Sequence, residues 1–240
     1  MVRISVCMAT YNGEKYIQYQ IESILKQLGV EDEIIISDDY SSDETLNIIN
    51  SFNDSRITVY LNAGEKGYTS NFENALSKAQ GDYIFLSDQD DIWVENKIKC
   101  CLEYLKNYDL VVSDAEIIDD SDRLIYSSFF KCRKPYYSTI GNFYKCGFLG
   151  CCFAFKRDIL NIALPFPKKH ILCTHDNWLF LIAACNFSYK ILSEKLIKYR
   201  RHNDNVSTGG LLDNTFFYFK IKYRIYLIWN LIKRRLKFLL

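Results

Sequence analysis

No stretch of the chain approaches the roughly 20 consecutive apolar residues of a membrane-spanning helix, so no such span is expected. The opening MVRISVCMATYNG has no long apolar run before polar residues resume, and no signal peptide is expected. No CxxC occurs among the nine cysteines, which removes the zinc ribbon and the thioredoxin-like site. Their odd number, two vicinal pairs (Cys100–Cys101 and Cys151–Cys152) and apolar surroundings suit a reducing cytosol, so the cytoplasm is the expected compartment. Neither GxGxxG nor GxxxxGKS/T is present, and no loop is expected to cradle phosphate by backbone groups alone. Internal repeats and low-complexity segments are also missing.

The last absence is of one charge sign. From Asn214 to the end there are seven Lys or Arg and no Asp or Glu. The net charge of +1 therefore divides into residues 1–213, with 23 basic and 29 acidic side chains, and a basic tail. The acidic body would repel phosphate backbones, so nucleic acid is not an expected partner. A length of 240 residues, 49% apolar and 25% charged, fits one soluble domain, or one domain with a tail.

Strand and helix signals alternate through the first hundred residues. Arg3–Met8, Glu33–Ser37, Ile57–Leu61 and Tyr83–Leu86 read as strands, and Glu14–Gln27, Glu44–Phe52 and Ser70–Ala79 as helices. On the first helix Ile17, Ile21, Ile24, Leu25 and Leu28 share one side. The β-α-β order predicts an α/β fold with a mostly parallel sheet between helices, with ligands at the carboxyl ends of the strands. Beyond Asp114 the pattern loosens: a strand near Leu110–Ser113, an irregular stretch to Gly150, a strand at Cys151–Phe155 and a helix from about Asp176 to Cys185.

Polar clusters follow those strands: Thr10-Tyr11-Asn12 the first, Asp38-Asp39 the second, and Asp88-Gln89-Asp90-Asp91 the fourth. Crowded carboxylates repel unless something positive sits among them, and no Lys or Arg follows before Lys97. A divalent cation answers that need, and oxygen ligands favour Mg²⁺ or Mn²⁺. An EF-hand is excluded, because counting from Asp88 places Ile92, Trp93 and Lys99 where an oxygen ligand, Gly and Glu are required. The other reading is a solvated acidic turn that caps the helix after Val94. If a nucleotide binds here, a metal must neutralise its phosphates.

The segments "ISVCMATYNGEKYIQYQIESILKQ", "DEIIISDDYSSDET" and "NFENALSKAQGDYIFLSDQDDIW" together resemble the family 2 glycosyltransferases of GT-A fold. The later segments "THDNWLFLIAA" and "KYRRHNDNVSTG" are similar to the branch of bacterial rhamnosyltransferases and related surface-polysaccharide enzymes. The resemblance spans roughly residues 3–208. It implies a catalytic domain over residues 1–213, with a nucleotide-sugar half (1–113) and an acceptor half (114–213). It implies an inverting transfer from a nucleoside-diphosphate sugar, a UDP- or dTDP-sugar, to a glycan or lipid-linked acceptor.

Residue by residue, the resemblance puts Thr10, Tyr11, Asn12, Asp38 and Asp39 near the nucleotide. A carboxylate there suits the N3–H donor of uracil or thymine. Asp43 is either a ligand or the cap of the following helix. Asp88-Gln89-Asp90 corresponds to the DxD motif, with Asp90 or Asp91 reaching the metal and His202 either completing its ligands or simply solvated in a basic loop. Arg200 or Arg201 would meet the diphosphate. Trp93 either faces the sugar or covers the core. Asp176 matches the general base, although Asp is also a favoured helix cap. Where many relatives carry two acidic residues this chain has His175-Asp176, which makes His175 the second candidate for the base.

In the tail, residues 214–240, Ile221, Ile225, Ile228, Trp229, Ile232, Leu236 and Leu239 form one stripe at about 100° per residue, with the cations around the remaining arc. Such a helix either lies on an anionic membrane, at the inner face of the plasma membrane, or packs on its own domain. Two rival functions stay open: a nucleotidyltransferase, and a module that binds sugar nucleotide or lipid without turnover.

Overall fold

The computed structural model describes residues 3–144, 147–202 and 217–238. Strand and helix alternate through β1 (Ile4–Thr10), α1 (Ile17–Leu25), β2 (Glu33–Asp38), α2 (Thr45–Ser51), β3 (Ile57–Leu61), α3 (Tyr68–Lys78) and β4 (Tyr83–Ser87). There follow β5 (Ile92–Trp93), α4 (Lys97–Leu105), β6 (Leu110–Ile118), β7 (Leu124–Tyr126), α5 (Phe129–Arg133) and α6 (Thr139–Tyr144). A 3₁₀ turn at Gly150–Cys152 leads into β8 (Phe153–Lys156) and α7 (Asp158–Ala163). A second 3₁₀ turn, His170–Leu172, precedes α8 (His175–Asn186), β9 (Tyr189–Arg200) and α9 (Phe217–Phe238).

One sheet runs in the order β3-β2-β1-β4-β8-β6-β9-β5, with β7 on the side of β6. β3, β2, β1 and β4 are parallel, as the β-α-β reading requires. β8 enters antiparallel between β4 and β6, and β9 pairs parallel with β6. Two antiparallel steps across β8 restore the direction, so β6 and β9 end on the same edge as β1, β2 and β4. That edge gathers the loops after Thr10, Asp38, Ser87 and Arg200.

The core explains the periodicities. Ile17, Ile21 and Ile24, spaced four and three apart, are buried on α1, and Leu28 just beyond joins them. Ile34, Ile35 and Ile36 are all buried, as expected of a strand covered on both faces. α8 is apolar nearly all round, and Trp178, Leu179, Phe180, Leu181 and Ile182 are fully buried, which makes it a central helix rather than a surface one.

Several elements differ from the sequence reading, and the stretch expected to be irregular up to Gly150 contains β7, α5 and α6. β6 continues to Ile118 and β9 runs for 12 residues, where the sequence suggests a short strand and no strand. The β6–β9 ladder slips register at Val112–Ala115, and β9 carries Lys190, Glu194, Lys195 and Lys198, so neither strand alternates cleanly. α3 begins two residues earlier than expected, at Tyr68, after Gly67 at φ 122°, a conformation that glycine adopts without strain.

Candidate active site

The loop after β1 is knitted to its neighbours by side chains. Gln89 accepts from the Tyr11 amide (2.9 Å) and donates to the Tyr11 carbonyl (3.0 Å), so the first and fourth loops are clasped together. Gly13 makes this fit possible: a Cβ there would lie 2.4 Å from Gln89 Oε1. Asn12, at φ 47°, receives a hydrogen bond from the Ser42 amide and donates its own amide to Ser41 Oγ. Asp43 accepts from the Thr45 hydroxyl and amide at the start of α2 and from the Glu14 amide, so it joins that helix to the first loop.

The two aspartates after β2 have different surroundings. Asp38 is fully buried and accepts from Thr10 Oγ1 (2.9 Å), the Ser41 amide (2.8 Å) and the Ser41 hydroxyl (2.6 Å). Thr10 is equally buried, so the two side chains lie beneath the site and hold its floor. Asp39 accepts from Asn62 Nδ2 (2.8 Å) and the Gly67 amide (2.7 Å), and Asn71 Nδ2 donates to the Thr10 carbonyl (2.9 Å). Each Asp39 oxygen keeps a second lone pair for a ligand donor, and Tyr11, half exposed, stands at the rim.

At the DQDD loop the sheet order brings distant residues together. β5 pairs with the end of β9, which sets Arg200–His202 against Asp90 and Asp91. His202 Nε2 lies 2.9 Å from Asp90 Oδ2, and its ring sits 5.0 Å from that of Tyr16. Asp91 is buried; one oxygen accepts the Arg200 amide (3.0 Å) and the other has no hydrogen-bond partner. Ligand atoms of Asp88, Asp91 and Cys151 lie within 4.8 Å of one another. Burial and the Asp90 charge push the Asp88 carboxyl up to about 7, and the same causes, with Asp88 added, push Asp91 well above the ordinary carboxylate range.

The two arginines separate. The Arg200 guanidinium is buried: it donates to the carbonyls of Asp90 (2.8 Å) and Asp119 (3.1 Å), pairs with Asp122 and lies over Tyr16. It braces the loop from below. Arg201, half-buried, donates to the Tyr199 hydroxyl (3.2 Å).

Lys97 is a positive group that sequence spacing left too far away. α4 folds it back under the loop, fully buried, where Nζ donates to the Cys151 carbonyl (2.9 Å) and lies 4.3 Å from the Trp93 ring. Its charge partly offsets Asp88. Trp93 is buried against Phe85, so of its two readings the core-covering one holds.

Asp176 is the second residue of α8, whose N-cap is Thr174. It accepts from the Thr174 hydroxyl and the Asn177 amide (2.7 Å), and its half-buried carboxylate does not occupy the cap position. His175 is buried, stacked 4.1 Å from Phe72, with both ring nitrogens unpartnered and its pKa pushed down by burial. Tyr68, which the sequence reading passed over, lies edge-on to His175 at 5.8 Å. Burial, then the charges of Asp176 and Asp88, push its phenol up to about 12, so it stays protonated. A separate cavity of about 420 Å³, lined by Asp114, Ser128, Phe130 and Lys195 among others, includes none of these residues.

Residues 5–162 match the family described as glycosyl transferase family 2. The chain is 31% identical over 236 residues to the dTDP-rhamnosyl transferase RfbG of Shigella flexneri, covering 90% of this chain and 77% of that protein. It is 31% identical over 210 residues to the UDP-Glc:alpha-D-GlcNAc-diphosphoundecaprenol beta-1,3-glucosyltransferase WfgD of Escherichia coli, covering 86% and 80%. Among solved structures, S. aureus TarS 1–349 in complex with UDP-GlcNAc superposes with a TM-score of 0.73 at 20% identity, over 94% of this chain and 66% of that one. The mannosyltransferase PcManGT of Pyrobaculum calidifontis, in complex with GDP-Man and Mn²⁺, gives 0.59 at 20% identity, over 81% and 55%. At these identities the two structures speak for the GT-A fold alone. With the family match over most of its length and two relatives above 30% identity, the chain belongs to the family 2 glycosyltransferases.

Proposed function

We propose that the protein transfers a hexosyl or deoxyhexosyl group from a UDP- or dTDP-sugar to a glycan or lipid-linked acceptor, with inversion, in cytoplasmic assembly of a bacterial surface polysaccharide. The observation that carries this reading is the meeting at one sheet edge of the Asp39 carboxylate, a crowded acidic loop with His202, and a half-buried Asp176 at the mouth of α8. RfbG and WfgD, by their names, use dTDP-rhamnose and UDP-glucose, which supports a pyrimidine nucleotide here. WfgD acts on a diphosphoundecaprenol-linked sugar, which supports a lipid-linked acceptor.

Asp39 and the clasped Tyr11 loop would receive the pyrimidine and ribose. The donor set fits a hard divalent cation: Asp91 holds a buried, unpartnered oxygen, Asp88 lacks full compensation, and Asp90 is paired with an imidazole. Asp90, Asp91 and His202 would hold Mn²⁺ or Mg²⁺, with Asp88 beside them. A cation so held offsets the charge of a nucleoside diphosphate. Arg201 is the better placed of the two arginines to meet the phosphates, since Arg200 is committed beneath the loop.

Asp176 would take the proton from the acceptor hydroxyl. The acceptor oxygen attacks the anomeric carbon from the face opposite the diphosphate, and the carbon–oxygen bond to the diphosphate breaks with the electron pair leaving on phosphate oxygen. One displacement inverts the centre. His175, with its ring enclosed between Phe72 and Gly150, is less accessible as a base. The nucleotidyltransferase reading is set aside by the family match.

Asp176→Asn separates this reading from a module without turnover. Wild type should release nucleoside diphosphate from a UDP- or dTDP-sugar in the presence of Mn²⁺ and acceptor. The variant should bind donor normally, melt normally and lose about 10²–10⁴-fold in kcat. Retention of more than about a tenth of kcat would remove Asp176 from the base role.

A further inference from the structure

The tail helix packs on the domain through one face and leaves another exposed. Tyr223, Tyr226, Leu227, Asn230, Leu231 and Arg234 recur three and four apart and form one face. That face is attached to the domain. Leu227 is fully buried, Tyr223 donates to the Tyr144 carbonyl (3.1 Å), and the Lys169 amide donates to the Tyr226 hydroxyl (3.0 Å). Arg224 reaches the Tyr144 carbonyl (2.8 Å), and Arg234 the carbonyls of Leu164 (3.0 Å) and Pro165.

On the opposite side, Ile221, Ile225, Ile228, Trp229 and Ile232 are exposed, Trp229 by 64% and Ile225 by 62%. An attached helix has no reason of its own to carry five large apolar side chains into water. At about 100° per residue, exposed Lys222 and Lys233 border this stripe on one side and Arg224 on the other. Acidic residues are missing from the whole segment after Asn214. An apolar strip edged by cations complements an anionic lipid surface, with the stripe among the upper acyl chains and the cations at headgroup phosphates. A protein partner of matching shape would need an apolar groove rimmed by acids; a bilayer offers both properties everywhere.

We infer that α9 is an interfacial helix that seats the enzyme on an anionic membrane surface through the face of Ile221, Ile225, Ile228, Trp229 and Ile232. It also ties that surface to the acceptor side, because Lys169, hydrogen-bonded to Tyr226, leads through the 3₁₀ turn His170–Leu172 into Asp176. The inference deepens the lipid-linked acceptor reading and rests on it for its purpose, but vesicle binding is measured without turnover, so each can fail alone.

Trp229 supplies the probe, since the other two tryptophans, Trp93 and Trp178, are buried. The full chain is titrated with vesicles of equal parts phosphatidylcholine and phosphatidylglycerol, and with phosphatidylcholine alone. Trp229 emission should shift to the blue and the protein should float with the anionic vesicles only, less so as salt is raised. Ile225→Glu/Ile232→Glu should weaken binding by at least about tenfold with an unchanged melting temperature, since both positions are exposed. Lys222→Gln/Lys233→Gln, which leaves the stripe intact, should weaken it about fivefold per charge. Wild-type binding by the first variant, or equal binding to neutral vesicles, overturns the inference. So does a wild-type dimer that the first variant converts to monomer, which would assign the face to a second copy of the chain.

Discussion

Gly150→Ala tests whether the site depends on the seating of α8 against the turn before β8. The added Cβ would lie 2.5 Å from His175 Nε2 and 3.4 Å from Asp176 Cβ, so only the histidine contact is forbidden. Restoring ordinary contact requires His175 to retreat by about 0.9 Å. Its retreat is opposed by Phe72, stacked on its ring at 4.1 Å, and by Tyr68 at its edge. The expected response is a shift of the first turn of α8 that carries Asp176 with it. Overpacking of this kind costs about 1–3 kcal/mol. For a chain of this size that lowers Tm by roughly 2–4 °C per kcal/mol. A displacement near 1 Å at a reacting group costs about 10²-fold in rate. The expected pattern is a lowered Tm, kcat for glycosyl transfer down about a hundredfold, and unchanged calorimetric affinity for UDP or dTDP, whose proposed contacts are on the loops after β1 and β2. Gly150→Ala/His175→Ala removes the clashing ring and should recover much of the loss. If Gly150→Ala keeps kcat within about threefold of wild type while Tm falls as expected, Asp176 need not be held in this position and the argument is wrong.

Two further expectations concern the acidic loop. In metal-free protein the native state keeps protons on Asp88 and Asp91 that the unfolded chain has released above about pH 4, so stability should fall as pH rises from 5 toward 8. His175, whose pKa burial lowers, acts in the opposite direction below about 6.5, so the wild-type slope is read against Asp91→Asn, in which it should shrink. Mn²⁺ should raise Tm more at pH 8 than at pH 5, and a metal-free Tm that climbs over this range in both proteins would refute the account. Lys97→Met should lower stability by about 1.5–3 kcal/mol, the worth of a charged hydrogen bond to the Cys151 carbonyl. The same variant should bind Mn²⁺ more tightly in calorimetry, because the cation that competes for the Asp88 charge is gone; weaker binding would show that Lys97 does not act on the site electrostatically.

Much of this was legible in residue order because it is local. Isoleucines four and three apart determine which side of α1 is buried, and an apolar run determines that β2 is an inner strand. Alternation of strand and helix requires a parallel sheet, and a parallel sheet collects the Asp39, Asp90 and Thr10 loops on one edge. The exposed stripe of α9 is likewise a matter of helical period. What tertiary structure alone decided are contacts across long separations, where period carries no information. The antiparallel insertion of β8 brings Cys151 to Asp88 and Asp91, and the β5–β9 pairing brings Arg200 and His202 to a loop more than a hundred residues earlier. Two arginines adjacent in sequence part there because successive residues leaving a strand point to opposite sides, one beneath the loop and one beside Tyr199. Lys97 reads as a surface charge by type, yet α4 turns it inward under the carboxylates. The docked face of α9 belongs to the same class: its tyrosines and arginine find backbone carbonyls and an amide that only the folded domain presents.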